Sequence, residues 1–108
     1  MNDNLSRTIE EIKNIIVEKF NPQKIILFGS CAREEADPRD IDLFIVSESN
    51  LRIDIRGQKV REMLPFRYPI DVVVYTPEEY EKHEGIKGSF LNSILNGGKA
   101  IYEHDRMV

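Results

Sequence analysis

The stretch Ile26–Val46, "ILFGSCAREEADPRDIDLFIV", decides how the chain is read. It begins inside "KIILF" (24–28), a short continuous apolar run that reads as a buried strand. A small-residue pair, Gly29-Ser30, ends that run. A charged segment follows, and a second apolar run, "IDLFIVSE" (41–48), reads as the next strand. Asp40 and Asp42 stand where it starts, two residues apart. In a strand, side chains at i and i+2 share a face, about 6.6–7 Å apart along the backbone. Asp40 and Asp42 therefore project together, and Ile41, Leu43 and Ile45 take the other face. Converging carboxylates repel unless a positive charge sits between them. A hard divalent cation with oxygen ligands, magnesium above all, meets that need.

A third aspartate, Asp71, lies in "YPIDVVVYT" (68–76), a valine-rich run that reads as a third strand. A charge in an apolar strand is costly unless it is paired, hydrogen-bonded or metal-bound. If strand three lies beside strand two, Asp71 reaches the same centre. Three carboxylates could then hold two ions, the arrangement that stabilises attacking and leaving oxygens in phosphoryl transfer. Gly29-Ser30 adds a second element. Glycine lets the backbone come close to a ligand, and free N–H groups at a helix start, with the serine hydroxyl, donate to phosphate oxygens. Taken alone, a Gly-Ser turn, a D-x-D pair or one aspartate in a valine run each has a bland structural reading. Their order on successive strands is what makes the set specific.

Around this centre the chain reads as alternating helices and strands. Leu5, Ile9, Ile12, Ile16 and Phe20 recur at helical spacing, with Asn4 or Ser6 as cap and "NPQ" (21–23) as stop. "SCAREEA" fits a helical turn or two, and "DPR" a turn. Residues 51–64 fit a helix ending before Pro65, with Ile53, Val60, Met63 and Leu64 on its apolar face and Gly57 weakening it. "PEEYEKH" begins with proline at the first helical position. Ile86, Phe90, Leu91, Ile94 and Leu95 form one more helical face, ended by Gly97-Gly98, and "KAIYE" reads as a short last strand. The expectation is an α/β (α+β) fold, a small mixed β-sheet flanked by helices, in a single domain over residues 1–108.

Composition narrows the class. Apolar residues make up 41%, enough for a core without disulfides or a structural metal. The single cysteine, Cys31, excludes an internal disulfide and a cysteine-based zinc site; beside Ser30 it reads as a small packed residue rather than a nucleophile. His83 and His104 have no partner at metal or triad spacing and are expected at the surface. Tyr68, Tyr75, Tyr80 and Tyr102 are expected in the core or at its rim. No apolar run approaches the roughly 20 residues that span a bilayer, and the polar N-terminus lacks a signal-peptide core, so a cytoplasmic protein with no membrane partner is expected. The net charge of −4 gives no general attraction to nucleic acid, which makes RNA or DNA a disfavoured partner.

On "LFGS", "AR", "DIDLFIV" and "IDVVVY", the sequence resembles the minimal nucleotidyltransferases, small members of the DNA polymerase β-like nucleotidyltransferase superfamily. The likeness runs from the first helix to the "GGKAIYE" ending. It departs from the family pattern in a spacer between Ser30 and Asp40 that is one residue short, and in Glu34, where a glycine commonly follows "AR". The resemblance implies the polymerase β-like core and transfer of a nucleoside monophosphate from a triphosphate to a hydroxyl, with pyrophosphate released. It implies Asp40, Asp42 and Asp71 as catalytic metal ligands for two Mg2+ ions, and Gly29, Ser30 and Arg33 as contacts to ATP. Larger relatives carry a second, acceptor-binding domain, and this chain ends soon after the core, so the acceptor is expected on another protein. Similar small members are antitoxins that adenylylate a tyrosine of a HEPN-domain toxin, the leading expectation here. The alternatives are a non-catalytic antitoxin or binding module that neutralises its partner by contact, and a small-molecule nucleotidyltransferase. A leftover sheet edge is compatible with a homodimer.

Overall fold

The computed structural model describes residues 3–32, 40–65 and 68–104. The elements run α1 (Asp3–Phe20), β1 (Lys24–Phe28), α2 (Gly29–Ala32), β2 (Ile41–Val46), α3 (Ile53–Glu62), β3 (Ile70–Tyr75), α4 (Pro77–His83), α5 (Phe90–Gly97) and β4 (Lys99–Glu103). The four strands form one sheet in the order β3-β2-β1-β4. β1 pairs antiparallel with β2 and β4, and β2 pairs parallel with β3. This is the small mixed sheet flanked by helices that the sequence predicts.

The alternation along each strand sorts side chains between two apolar layers. Ile25 and Leu27 of β1, Ile41, Leu43 and Ile45 of β2, and Ile70 and Val74 of β3 pack with Leu5, Ile9, Ile12 and Ile16 of α1 and Val60 of α3. The other face carries Ile26, Phe44 and Val46, closed by Leu91 and Ile94 of α5, with Val73 and Tyr75 beside them. The strands lack polar alternation because helices cover both faces. Asp42 and Asp71 interrupt the second layer where β2 and β3 begin.

Local signals explain most boundaries. α1 stops at Phe20 because Asn21 turns left-handed, at φ 47°, ahead of the buried Pro22. Thr76 and Glu79 form a capping box at α4: the Thr76 hydroxyl accepts from the Glu79 N–H, and the Glu79 carboxylate accepts from the Thr76 N–H, with Pro77 following the cap. Ser89 caps α5 by accepting from the Asn92 N–H at 3.0 Å. α5 ends at Gly97, as the Gly-Gly pair predicts.

Three readings need correction. Asn4 and Ser6 lie inside α1, which already begins at Asp3, so neither caps it. In α3, Ile53 and Met63 are exposed, whereas Arg56, Gly57 and Val60 are buried. Ile86 precedes α5 and is exposed. Gly57 has a positive reason to be glycine. A Cβ there would fall on the backbone carbonyl oxygen of Val72, so only glycine lets α3 settle onto β3. Gly57→Ala should cost about 1–3 kcal/mol despite the better helix propensity of alanine, because a strand carbonyl cannot yield as a side chain can. Chemical denaturation checks this; an unchanged or higher midpoint would show that the helix lifts freely.

Candidate active site

The site forms at one end of the sheet, where β2 and β3 start and β1 finishes. Parallel pairing sets Asp42 directly beside Asp71, and antiparallel pairing sets Phe28, the last residue of β1, opposite Asp42. Asp40 is the residue just before β2. One carboxylate oxygen from each of Asp40, Asp42 and Asp71 lies within 4.8 Å of the other two. Asp40 and Asp42 are half-buried and Asp71 is exposed, so the cluster opens to solvent. A position on the far face of the sheet, among Ile70, Val72 and Val74, would have separated Asp71 from the pair; the register places it on the same face.

The donor chemistry fits a hard divalent ion. All three groups offer carboxylate oxygens, and their shared negative charge needs neutralising. Oxygens on one magnesium ion lie about 3.0 Å apart when adjacent and about 4.2 Å apart when opposite, so the three carboxylates would close further by side-chain rotation to share an ion.

Gly29 holds this arrangement open. Its φ is +71°, the left-handed region, and a Cβ there would fall on Oδ2 of Asp42. The sequence reading assigned its smallness to the approach of a ligand; in the structure the neighbour that needs the space is the carboxylate itself. Gly29→Ala should therefore strain the backbone by about 1–2 kcal/mol and push the Asp42 carboxylate aside. The expected result is a modest loss of thermal stability with a much weaker response to added Mg2+. A normal Mg2+ response would show that Asp42 tolerates the displacement.

Ser30 and Cys31 follow in α2. Ser30 is half-buried beside Gly29. Cys31 is fully buried, and its thiol donates to the backbone carbonyl of Asp40 at 3.2 Å, tying α2 to the entry of β2. Burial, reinforced by the charges of Asp42 and Asp40, pushes the Cys31 thiol above its ordinary pKa. It stays protonated, consistent with packing rather than nucleophilic chemistry. Its anchoring role carried no sequence signal beyond its place next to Ser30. Arg33, expected at the nucleotide, lies outside the described residues, as do Glu34, Glu35, Asp37 and the "DPR" turn. His83 is half-buried rather than at the surface, its Nδ1 2.8 Å from the Glu79 carbonyl oxygen and its ring against Tyr75; His104 is exposed.

This carboxylate geometry sits in a chain whose residues 10–107 match the family model "Polymerase beta, Nucleotidyltransferase". The chain belongs to the polymerase β nucleotidyltransferase family. Two solved structures share the family fold. A protein of Sulfolobus solfataricus, provisionally assigned as a nucleotidyltransferase, aligns with a TM-score of 0.62 at 20% identity, covering 90% of this chain and 78% of that one. A chain of the toxin-antitoxin MntA-HpeT, in a mutant form, aligns with a TM-score of 0.57 at 19% identity, covering 96% and 74%. No curated protein matches the sequence. Among the described residues, no helix of this nucleotidyltransferase-family chain is long and apolar enough to cross a membrane.

Proposed function

We propose that this chain is a minimal nucleotidyltransferase that moves AMP from ATP to a hydroxyl of a partner protein, a tyrosine of a HEPN-domain toxin, and so acts as an antitoxin. The observation that carries the reading is the meeting of Asp40, Asp42 and Asp71 on one sheet face in a chain of this family. The likeness of fold to a chain of the toxin-antitoxin MntA-HpeT supports the partner class. Residues 1–108 are read as one catalytic unit working in the cytoplasm.

In this reading Asp40, Asp42 and Asp71 hold Mg2+, which when bound neutralises charge on the phosphates and on the attacking and leaving oxygens. Asp71, the most exposed of the three, faces the acceptor and takes the proton of its hydroxyl. The acceptor oxygen forms a bond to the α-phosphorus, the bond from that phosphorus to the β-phosphate bridging oxygen breaks, and pyrophosphate leaves. Gly29 and Ser30 donate their N–H groups, and Ser30 its hydroxyl, to phosphate oxygens, with Arg33 as a further contact. Positioning and electrostatics carry the catalysis, because phosphoryl transfer asks little covalent chemistry of the protein.

The test is incubation with ATP labelled at the α-phosphate, Mg2+ and a HEPN-domain protein encoded by an adjacent gene. The expected result is a tyrosine on that protein heavier by one AMP unit in mass spectrometry. No transfer by the wild type would overturn the reading. Full neutralisation of the toxin by an Asp40→Asn/Asp42→Asn double variant would show that contact alone suffices.

A further inference from the structure

A cavity of about 330 Å³ opens beside the carboxylates, lined by Phe28, Gly29, Phe90, Ser93, Ile94 and Gly97. Phe28 is the register partner of Asp42, and Gly29 packs against the Asp42 carboxylate, so the cavity begins one residue from the proposed reaction centre. We propose that it seats the flat base of the transferred nucleotide by stacking on the Phe90 ring. This inference rests on the nucleotide-transfer reading and deepens it.

Three observations argue for a base rather than another occupant. The first is chemistry: among the described residues the lining carries no charged side chain to hold a phosphate within it, while its two phenylalanines suit a neutral flat ring. The second is the state of Phe90. Its neighbours Leu91 and Ile94 are buried in the core, yet Phe90 is 50% exposed and meets Phe28 edge-to-face, with centroids 6.2 Å apart. That contact holds one side of the ring in place and leaves the rest to a ligand. The third is position. The strand order β3-β2-β1-β4 puts Asp71 on one flank of Asp42 and the cavity on the other. With the acceptor hydroxyl on the Asp71 flank, the flank that holds Gly29 and Ser30 is left to the nucleotide.

The wall also predicts how selective the seat is. Ser93 supplies its one polar side chain among the described residues, and that hydroxyl already donates to the Phe90 carbonyl at 2.6 Å. Little remains to read a base edge. Stacking accepts every base, so purines should bind more tightly than pyrimidines, with weak discrimination within each class.

The experiment compares equilibrium binding of ATP, CTP and inorganic tripolyphosphate, each with Mg2+. Phe90→Ala should weaken ATP about 5- to 100-fold and leave tripolyphosphate unchanged. Phe90→Tyr should keep ATP binding, and Ser93→Trp, which fills the cavity, should lose ATP but not tripolyphosphate. Both positions are exposed, so the variants should fold. Equal weakening of ATP and tripolyphosphate by Phe90→Ala, or no change in either, overturns the base seat while wild-type binding leaves the transfer reading standing. The second of those outcomes would give the cavity to the acceptor side chain. A wild type that binds neither ligand sinks the transfer reading, and this inference with it.

Discussion

Asp42→Asn is expected to lower nucleotidyl transfer by at least about 10²–10³-fold while leaving the fold intact. Asp42 stands two residues from Asp40 on the same strand face and pairs in register with Asp71, and it is the one of the three that Gly29 packs against. Removing its charge takes away one ligand of the proposed Mg2+ site. The same change relieves repulsion between neighbouring strands, because Asp42 and Asp71 are direct register partners. The variant should therefore melt at or above the wild-type temperature without Mg2+, and should show none of the rise in melting temperature that Mg2+ is expected to give the wild type. Activity, ion response and ion-free stability are read separately, so misfolding cannot imitate the result. Undiminished transfer, or an unaltered Mg2+ response, would remove Asp42 from the centre.

Arg56→Ala should produce the largest loss of stability, about 2–4 kcal/mol. Arg56 is buried in α3, and its guanidinium donates to the carbonyls of Leu51 at 2.7 Å and Val74 at 3.2 Å. It also meets both Glu79 carboxylate oxygens, at 2.6 and 3.2 Å. One side chain thus joins α3, β3 and the capping box of α4. The alanine variant loses all of these bonds, while Glu79, a third exposed, recovers only part of its loss from water. For a domain of this size the drop should exceed roughly 10 °C. The pair also gives acid sensitivity. The Arg56 hydrogen bond, helped by the bonds to Thr76 and the Arg56 charge, holds the Glu79 carboxyl below its ordinary pKa despite burial. A lowered folded-state pKa contributes stability above the unfolded value, about 4.3, that is lost as pH falls through the folded value. Denaturation midpoints between pH 7 and 3 should fall less steeply for Glu79→Gln than for the wild type. Parallel curves would assign the acid limb to other groups.

The strands were legible because "KIILF", "IDLFIV" and "IDVVVY" are covered on both faces and so carry apolar runs, interrupted within them only by Asp42 and Asp71. The D-x-D pair was legible because its spacing is local. Asp71 was legible only conditionally, since its place depends on which strand pairs with β3 and in what register, and both are set by contacts distant in sequence. α3 was misread for a related reason. Apolarity favoured Ile53 and Met63, whereas the face turned to β3 is the one where Gly57 clears the Val72 carbonyl and Arg56 finds its acceptors. The Thr76–Glu79 capping box was visible as a T-x-x-E spacing, but nothing nearby announced that Glu79 also receives an arginine from another helix.

The absence of a side chain at Gly57 reaches further than packing. The carbonyl that receives α3 belongs to Val72, the residue next to Asp71, so the two faces of β3 serve different tasks a single step apart. Pressure applied from behind the sheet travels to the front through one peptide unit. A bulkier residue in α3, remote from any nucleotide, would thereby retune the spacing of the acidic trio. Screens for altered catalysis in this fold should accordingly sample the rear helix as well as the mouth of the cleft.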